Sequence, residues 1–195
     1  HIDRGVALRF GLPAALGALA GAWLLVNLAG SGIRIDYTLF GRAVSITPPQ
    51  LVIGVLLLLF AASELRPADG RRGFPASWQM PGGLICGFFG GLAGLQGALR
   101  SAFLLNAGLD KAGYVATGAA IAFFIDLSRL SMYAGLIANH HAEFDYVLLG
   151  AAVLAALAGS VAGKRFLHKA TMPGIRKLVA VLLFAVALGL ITGLL

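Results

Sequence analysis

Residues 81–108 read PGGLICGFFGGLAGLQGALRSAFLLNAG, and this stretch decides the fold. It is apolar enough for a membrane, yet it holds eight glycines in 28 residues, with Gln96 and Arg100 set among them. Glycine inside a helix costs about 1 kcal/mol against alanine. That density predicts a break near Gly90 to Gly97. The competing expectation is one straight helix whose glycines let neighbours pack closely. Broken backbone at membrane depth must be satisfied by protein or by a water-filled cavity.

Composition on either side sets the class. The chain is 59% hydrophobic and 12% charged, whereas a soluble domain carries about 25% charged residues. Its mean hydropathy is +0.89. Six apolar segments are legible, over 6–30, 47–63, 80–107, 113–138, 144–163 and 175–195, most near the roughly 20 residues that span a bilayer. The fold class is all-α and polytopic. Residues 31–46, where IRIDY and AVSI flank FGR, predict a small hairpin outside the bilayer. Residues 64–79 hold three arginines, two prolines and Trp78 and read as a polar linker, with Trp78 at the interface. The single cysteine, Cys86, excludes an internal disulfide and reads as a small buried hydrophobe. No signal peptide is legible, and a chain that opens on His1 is expected to lack something upstream.

Loop charges test the break independently. If 80–108 is a re-entrant hairpin, one side of the membrane collects 1–9, 64–80, 109–112 and 164–177, with 2, 3, 1 and 5 Lys/Arg. The other side collects 2 from 31–46 and none from 138–145. A single crossing would put the five-charge loop opposite the N-terminal side. The positive-inside rule prefers the hairpin, and it also accounts for the pI of about 10.2 without nucleic acid.

The same topology exposes a repeat. Ala18-Leu19-Ala20-Gly21 recurs as Ala156-Leu157-Ala158-Gly159, and the helix after each begins with Leu51-Val52 or Leu178-Val179. The repeat is expected to be inverted. Residues 1–64 would then be the last two helices of a first repeat whose first half is absent. Residues 65–80 would be a cytoplasmic linker, and 81–195 a complete second repeat with hairpin 80–108 and helices 113–138, 144–163 and 175–195. Inverted repeats with broken helices are a common build of secondary transporters, with the site at the repeat interface.

Three charges lie within apolar segments: Arg100, Asp126 and Arg129. An ionisable side chain at the bilayer centre costs roughly 2.5–3.5 kcal/mol on insertion scales. Two positives and one negative leave a surplus cation, which points to an anion. Arg100 follows the break, where free N–H groups add partial positive charge, and guanidinium suits oxyanions. Backbone at Gly94 and Gly97 would cradle the anion, with Gln96, Ser101 and Thr117 as neutral donors. Pairing of Arg100 with Asp126, or with a partner outside this chain, stays open, as does a packing role for Gln96 and Ser101. Asp126, Arg129 and Tyr133 share a helical face, extended by Ala119 and Ala122. They read as a structural ion pair or as a charge-setting, proton-linked group.

Enzyme chemistry has little support. His1, His140, His141 and His168 all lie in loops or at a terminus, and no phosphate-binding loop occurs. His140 and His141 beside Glu143 and Asp145 read as a solvated loop before a metal site. No cofactor is expected. The expected partners are a small anion and the lipid bilayer, with a homo-oligomer left open. An anion channel, a non-transporting membrane subunit and, least favoured, a membrane-embedded hydrolase are the alternatives to a transporter.

Residues 83–134, GLICGFFGGLAGLQGALRSAFLLNAGLDKAGYVATGAAIAFFIDLSRLSMYA, resemble the second-repeat signature of the TauE/SafE sulfite exporter family. Gly87, Gly90, Gly91, Gly94 and Gly97 fit its glycine-rich broken segment. Ala116-Thr117, then Asp126 to Arg129 with Tyr133, fit its AT and D-x-S/T-R-x-x-x-Y elements, and Gly163-Lys164-Arg165 fits its final helix pair. The resemblance implies an anion-permease fold in a bacterial inner membrane and export of sulfite, organosulfonate or a related small anion. Gly94-Leu95-Gln96-Gly97-Ala98-Leu99-Arg100 departs from the adjacent glycines frequent there. The GLQGALRS segment marks a subgroup whose substrate need not be sulfite.

Overall fold

The structure, a computed structural model, describes residues 2–39, 41–65, 74–104, 107–140, 146–166 and 172–194. Helix α3 (Gln79–Ala93) ends at Gly94, which sits in the left-handed region at φ 73° while its N–H donates to the Gly90 carbonyl at 2.9 Å. The chain restarts as α4 (Gly97–Leu104). At 1.5 Å per residue, α3 reaches about 22 Å and α4 about 12 Å, so neither crosses a hydrocarbon core of about 30 Å. Helix α4 turns back along α3. Phe103 near its end lies against Gly82 near the start of α3, and Phe103 stacks on Phe74 at 4.3 Å. The Phe74 N–H closes the mouth by donating to the Ala102 carbonyl at 3.2 Å. The segment is a re-entrant hairpin.

The glycines divide between the two roles foreseen for them. The helix runs unbroken through Gly90 and Gly91, and the break falls at Gly94 to Gln96. Upstream, the glycines serve contact with α1 (Arg4–Gly30). A Cβ at Gly83, Gly87 or Gly91 would overlap the carbonyl of Phe10, Ala14 or Ala18, and one at Gly17 or Gly21 would overlap that of Leu84 or Phe88. Lipid supplies no hydrophobic force between helices, so such close backbone approach is what holds them together.

Helix α5 (Lys111–His140) packs on both α1 and α3. Ile121 and Ile125 join Phe10, Ala14, Ala18, Cys86 and Leu104 in one buried core. The Asp3 side chain caps α1 through the Val6 N–H at 2.9 Å, while the Asp3 N–H donates to Thr117 Oγ1 at 3.0 Å. The starts of α1, α3 and α5 and the end of α4 thus gather at one end, as the loop charges require.

Helices α2 (Pro48–Leu65) and α7 (Met172–Ile191) form a second pair. Glu64 meets Arg176 at 3.1 Å at one end, and Gly54 lies against Ile191 towards the other. There the expected hairpin, β1 (Ile35–Leu39) and β2 (Arg42–Ile46), covers the end of α7, the Tyr37 hydroxyl donating to the Thr192 carbonyl at 2.9 Å. Helix α6 (Tyr146–Phe166) buries no residue over 146–163. Among the described residues five helices are long and apolar enough to span a bilayer: Arg4–Gly30, Pro48–Leu65, Ala112–Gly135, Tyr146–Gly163 and Gly174–Ile191. Helix α5 begins ahead of the apolar run 113–138, where the Asp110 carboxylate accepts the Gly113 N–H at 2.9 Å, and α7 stops at Ile191, short of the end of 175–195, ahead of Gly193 at φ 57°. Residues 66–73 of the linker, and His1, His141, Glu143, Asp145 and His168, lie outside the described residues.

Candidate anion site at the hairpin break

The break meets the middle of α5, and the residues that make it polar come from both. Gln96 is only 7% exposed, and its Nε2 donates to Asp126 Oδ1 at 3.2 Å. One turn on, Arg129 Nε stands 3.1 Å from the same oxygen, an ion pair by distance but not aligned as a hydrogen bond. The pair is partly exposed, so its own contribution to stability is small. Arg129 Nη1 lies 2.7 Å from where a Cβ at Gly94 would stand, so the guanidinium rests over the glycine that ends α3. Tyr133 completes the face: its hydroxyl donates to the Gly91 carbonyl at 2.7 Å. That carbonyl belongs to the last turn of α3, where the helix ladder leaves acceptors without partners.

Helix α4 starts on the other side of the same break. The Arg100 N–H donates to the Gln96 carbonyl at 2.9 Å, and the Cys86 thiol donates to that carbonyl at 3.3 Å. Arg100 is half-buried, with its Nε 3.6 Å from the Cβ position of Gly118, which leaves room for it. Its Nη1 is buried without a hydrogen-bond partner. Asp126 is engaged by Gln96 and Arg129, so the pairing of Arg100 with Asp126 held open from sequence is not the arrangement found.

Two expected donors point elsewhere. The Ser101 hydroxyl donates back to the Gly97 carbonyl at 2.7 Å on an exposed face, as serine in a helix does when its own backbone is the nearest acceptor. Thr117 is fully buried, and its hydroxyl accepts from the start of α1 rather than facing the break. Gly97 is exposed and faces open space. Of the extension of the α5 face, Ala119 is exposed and Ala122 half-buried. The sequence reading missed Asp3 and Gly118. Only Asp3 carried a signal, as an N-cap residue just before an apolar run.

Among the described residues no group of three metal-ligating side chains occurs. An apolar cleft lined by Gly17, Ala20, Leu84, Ile85, Phe88 and Phe89 lies along α1 and α3, apart from the polar cluster, and its lining suits acyl chains rather than an ion.

A glycine-broken hairpin set against a D-x-S-R-x-x-x-Y helix is a specific arrangement, and comparison with known families agrees with it. The family model described as sulfite exporter TauE/SafE matches residues 1–190. The chain belongs to the TauE/SafE family. It is an integral membrane protein of anion-exporter type. No curated protein and no solved structure matches it. Asp126 and Arg129 lie near the middle of the apolar helix Ala112–Gly135, and at the centre of a bilayer each charge must be matched. Arg100 and Arg129 against Asp126 leave one positive charge over.

Proposed function

We propose that this chain is a secondary transporter that exports sulfite, an organosulfonate or a related small anion across a bacterial cytoplasmic membrane. The observation that carries the reading is the buried, unpartnered Nη1 of Arg100 at the start of α4, beside a break in the membrane-depth backbone. An unpaired guanidinium N–H in a low-dielectric setting is costly until an acceptor arrives. Arg100 would bind the anion, and the N–H groups that open α4 would add to the positive end of its dipole. Gln96 and Asp126 hold the break against α5, and Arg129 balances Asp126. Gly94 and Gly97 supply the backbone freedom of the cradle, while Ser101 and Thr117 are left out of it. The reading includes no enzymatic step and no cofactor.

We further propose the inverted repeat as the transport framework. The shared ALAG and LV elements support it, and so does the antiparallel pairing of α2 with α7, the two helices that the repeat would relate to each other. On that reading 1–64 closes one repeat, 65–80 links, and 81–195 is the other, which moves against it in alternating access. Counterflow in proteoliposomes tests the function, with sulfite, thiosulfate, sulfate, sulfoacetate and chloride inside. Saturable exchange of one anion supports it. Currents that neither saturate nor show counterflow would replace it with a channel.

A further inference from the structure

We propose that the site selects a monoanion that itself carries a hydrogen-bond donor, such as a singly protonated oxyanion, over an equally charged anion that lacks one. The inference rests on the anion-transport reading above and adds to it a chemical class. Gln96 decides it. Its side chain is more than nine-tenths buried, and Nε2 is committed to Asp126. A carboxylate only accepts, so the amide cannot turn over without setting oxygen against oxygen. Oε1 is therefore fixed as an acceptor, and it is buried with no partner. It lies 3.7 Å from the Cβ position of Gly90, which Ile125 and the Gln96 Cβ approach more closely, at 3.0 and 3.2 Å.

The neutral hydroxyl and thiol donors beside the break are already committed. The Cys86 thiol donates to the Gln96 carbonyl, the Tyr133 hydroxyl to the Gly91 carbonyl and the Ser101 hydroxyl to the Gly97 carbonyl. Three buried atoms remain without a hydrogen bond: the donors Arg100 Nη1 and Arg129 Nε, the latter held as an ion pair by Asp126, and one acceptor, Gln96 Oε1. Gln96 precedes α4 and its carbonyl accepts the Arg100 N–H at 2.9 Å, so the two residues close the first turn of that helix. An anion with both a charged oxygen and a hydroxyl matches that pair. One with only acceptor oxygens would satisfy the guanidinium and leave Oε1 facing another acceptor, and a buried polar group left unmatched discriminates strongly. The charge count agrees, since Arg100 and Arg129 less Asp126 match a single negative charge.

Methylphosphonate and methanesulfonate separate the idea from charge and shape. At mildly acidic pH both are monoanions of similar form, and only the first keeps a hydroxyl. Binding of each to the purified full-length protein, measured by calorimetry, should favour methylphosphonate about tenfold, the worth of one matched hydrogen bond. Gln96→Leu should bring that ratio to about one, while Arg100→Lys should weaken both probes together. Equal binding in the wild-type protein, or tighter binding of methanesulfonate, overturns the inference whether or not Gln96→Leu folds. Binding of neither probe, in protein that still exchanges anions saturably, overturns it too and leaves the transport reading intact. Absence of exchange with every anion removes both.

Discussion

Gln96, in the break between α3 and α4, donates its side-chain amide to Asp126 at the middle of α5 over 3.2 Å. Thirty residues of chain separate them. This one bond ties the end of the re-entrant hairpin to a spanning helix, and it sets which way the Gln96 amide and the Asp126 carboxylate face.

Asp126→Asn keeps an acceptor for Gln96 but removes the negative charge beside Arg129. The surplus at the site rises from one positive charge to two. At an effective dielectric near 20, a unit charge some 8 Å away is worth about 2 kcal/mol, and partial exposure lowers that. Competition of sulfate against a monoanion should therefore move about tenfold in favour of the dianion. An unchanged preference would reduce the Asp126–Arg129 pair to a structural bridge.

Gly94 holds φ 73°, and Arg129 Nη1 occupies the place of a side chain there. A non-glycine residue in this region costs about 1–2 kcal/mol, and Gly94→Val must also push the guanidinium aside. Transport should fall at least tenfold in protein that still inserts and purifies. Wild-type rates in Gly94→Val would mean that the turn is not part of the cradle.

Close contact of α1 with α3 predicts a contrast between two glycines. At Gly87 an added Cβ overlaps Ala14, whereas at Gly97 nothing lies within 4 Å. Gly87→Val should destabilise by about 1–3 kcal/mol, the usual range for overpacking. Gly97→Ala should be neutral or slightly stabilising, by up to about 1 kcal/mol. Thermal unfolding in detergent compares them, and equal midpoints would contradict the packing described.

Tyr133→Phe leaves the Gly91 carbonyl without its side-chain partner. A buried acceptor stripped of its bond costs about 1–3 kcal/mol. The midpoint of unfolding should drop while the preference among anions stays as it was, since the phenol faces the backbone of α3. A change in anion preference alone would place the hydroxyl in the site instead.

Much of this was legible in the sequence because membrane burial leaves few choices. Glycine density predicted the break, and loop charges predicted that the hairpin returns to its own side. IRIDY and AVSI predicted the strands that cover the end of α7. What stayed illegible were partners chosen in three dimensions. Gln96 read as a donor to the anion, but its N–H groups face Asp126 and its oxygen is what remains. Ser101 and Thr117 have suitable hydroxyls at suitable positions, yet one bonds its own helix and the other receives the start of α1. Spacing along a chain places residues on a face. It does not say which acceptor is nearest.

Arg100 carries the central claim, so the most direct measurement is sulfite counterflow in proteoliposomes with wild-type protein, Arg100→Ala and Arg100→Lys. A charge-assisted hydrogen bond is worth about 1.5–3 kcal/mol, roughly ten- to a hundredfold. The account predicts saturable exchange in the wild type, loss by at least tenfold in Arg100→Ala with an unchanged unfolding midpoint, and partial recovery in Arg100→Lys, which keeps the charge but not the fork. Wild-type exchange rates in Arg100→Ala would contradict it and take the anion away from the hairpin break.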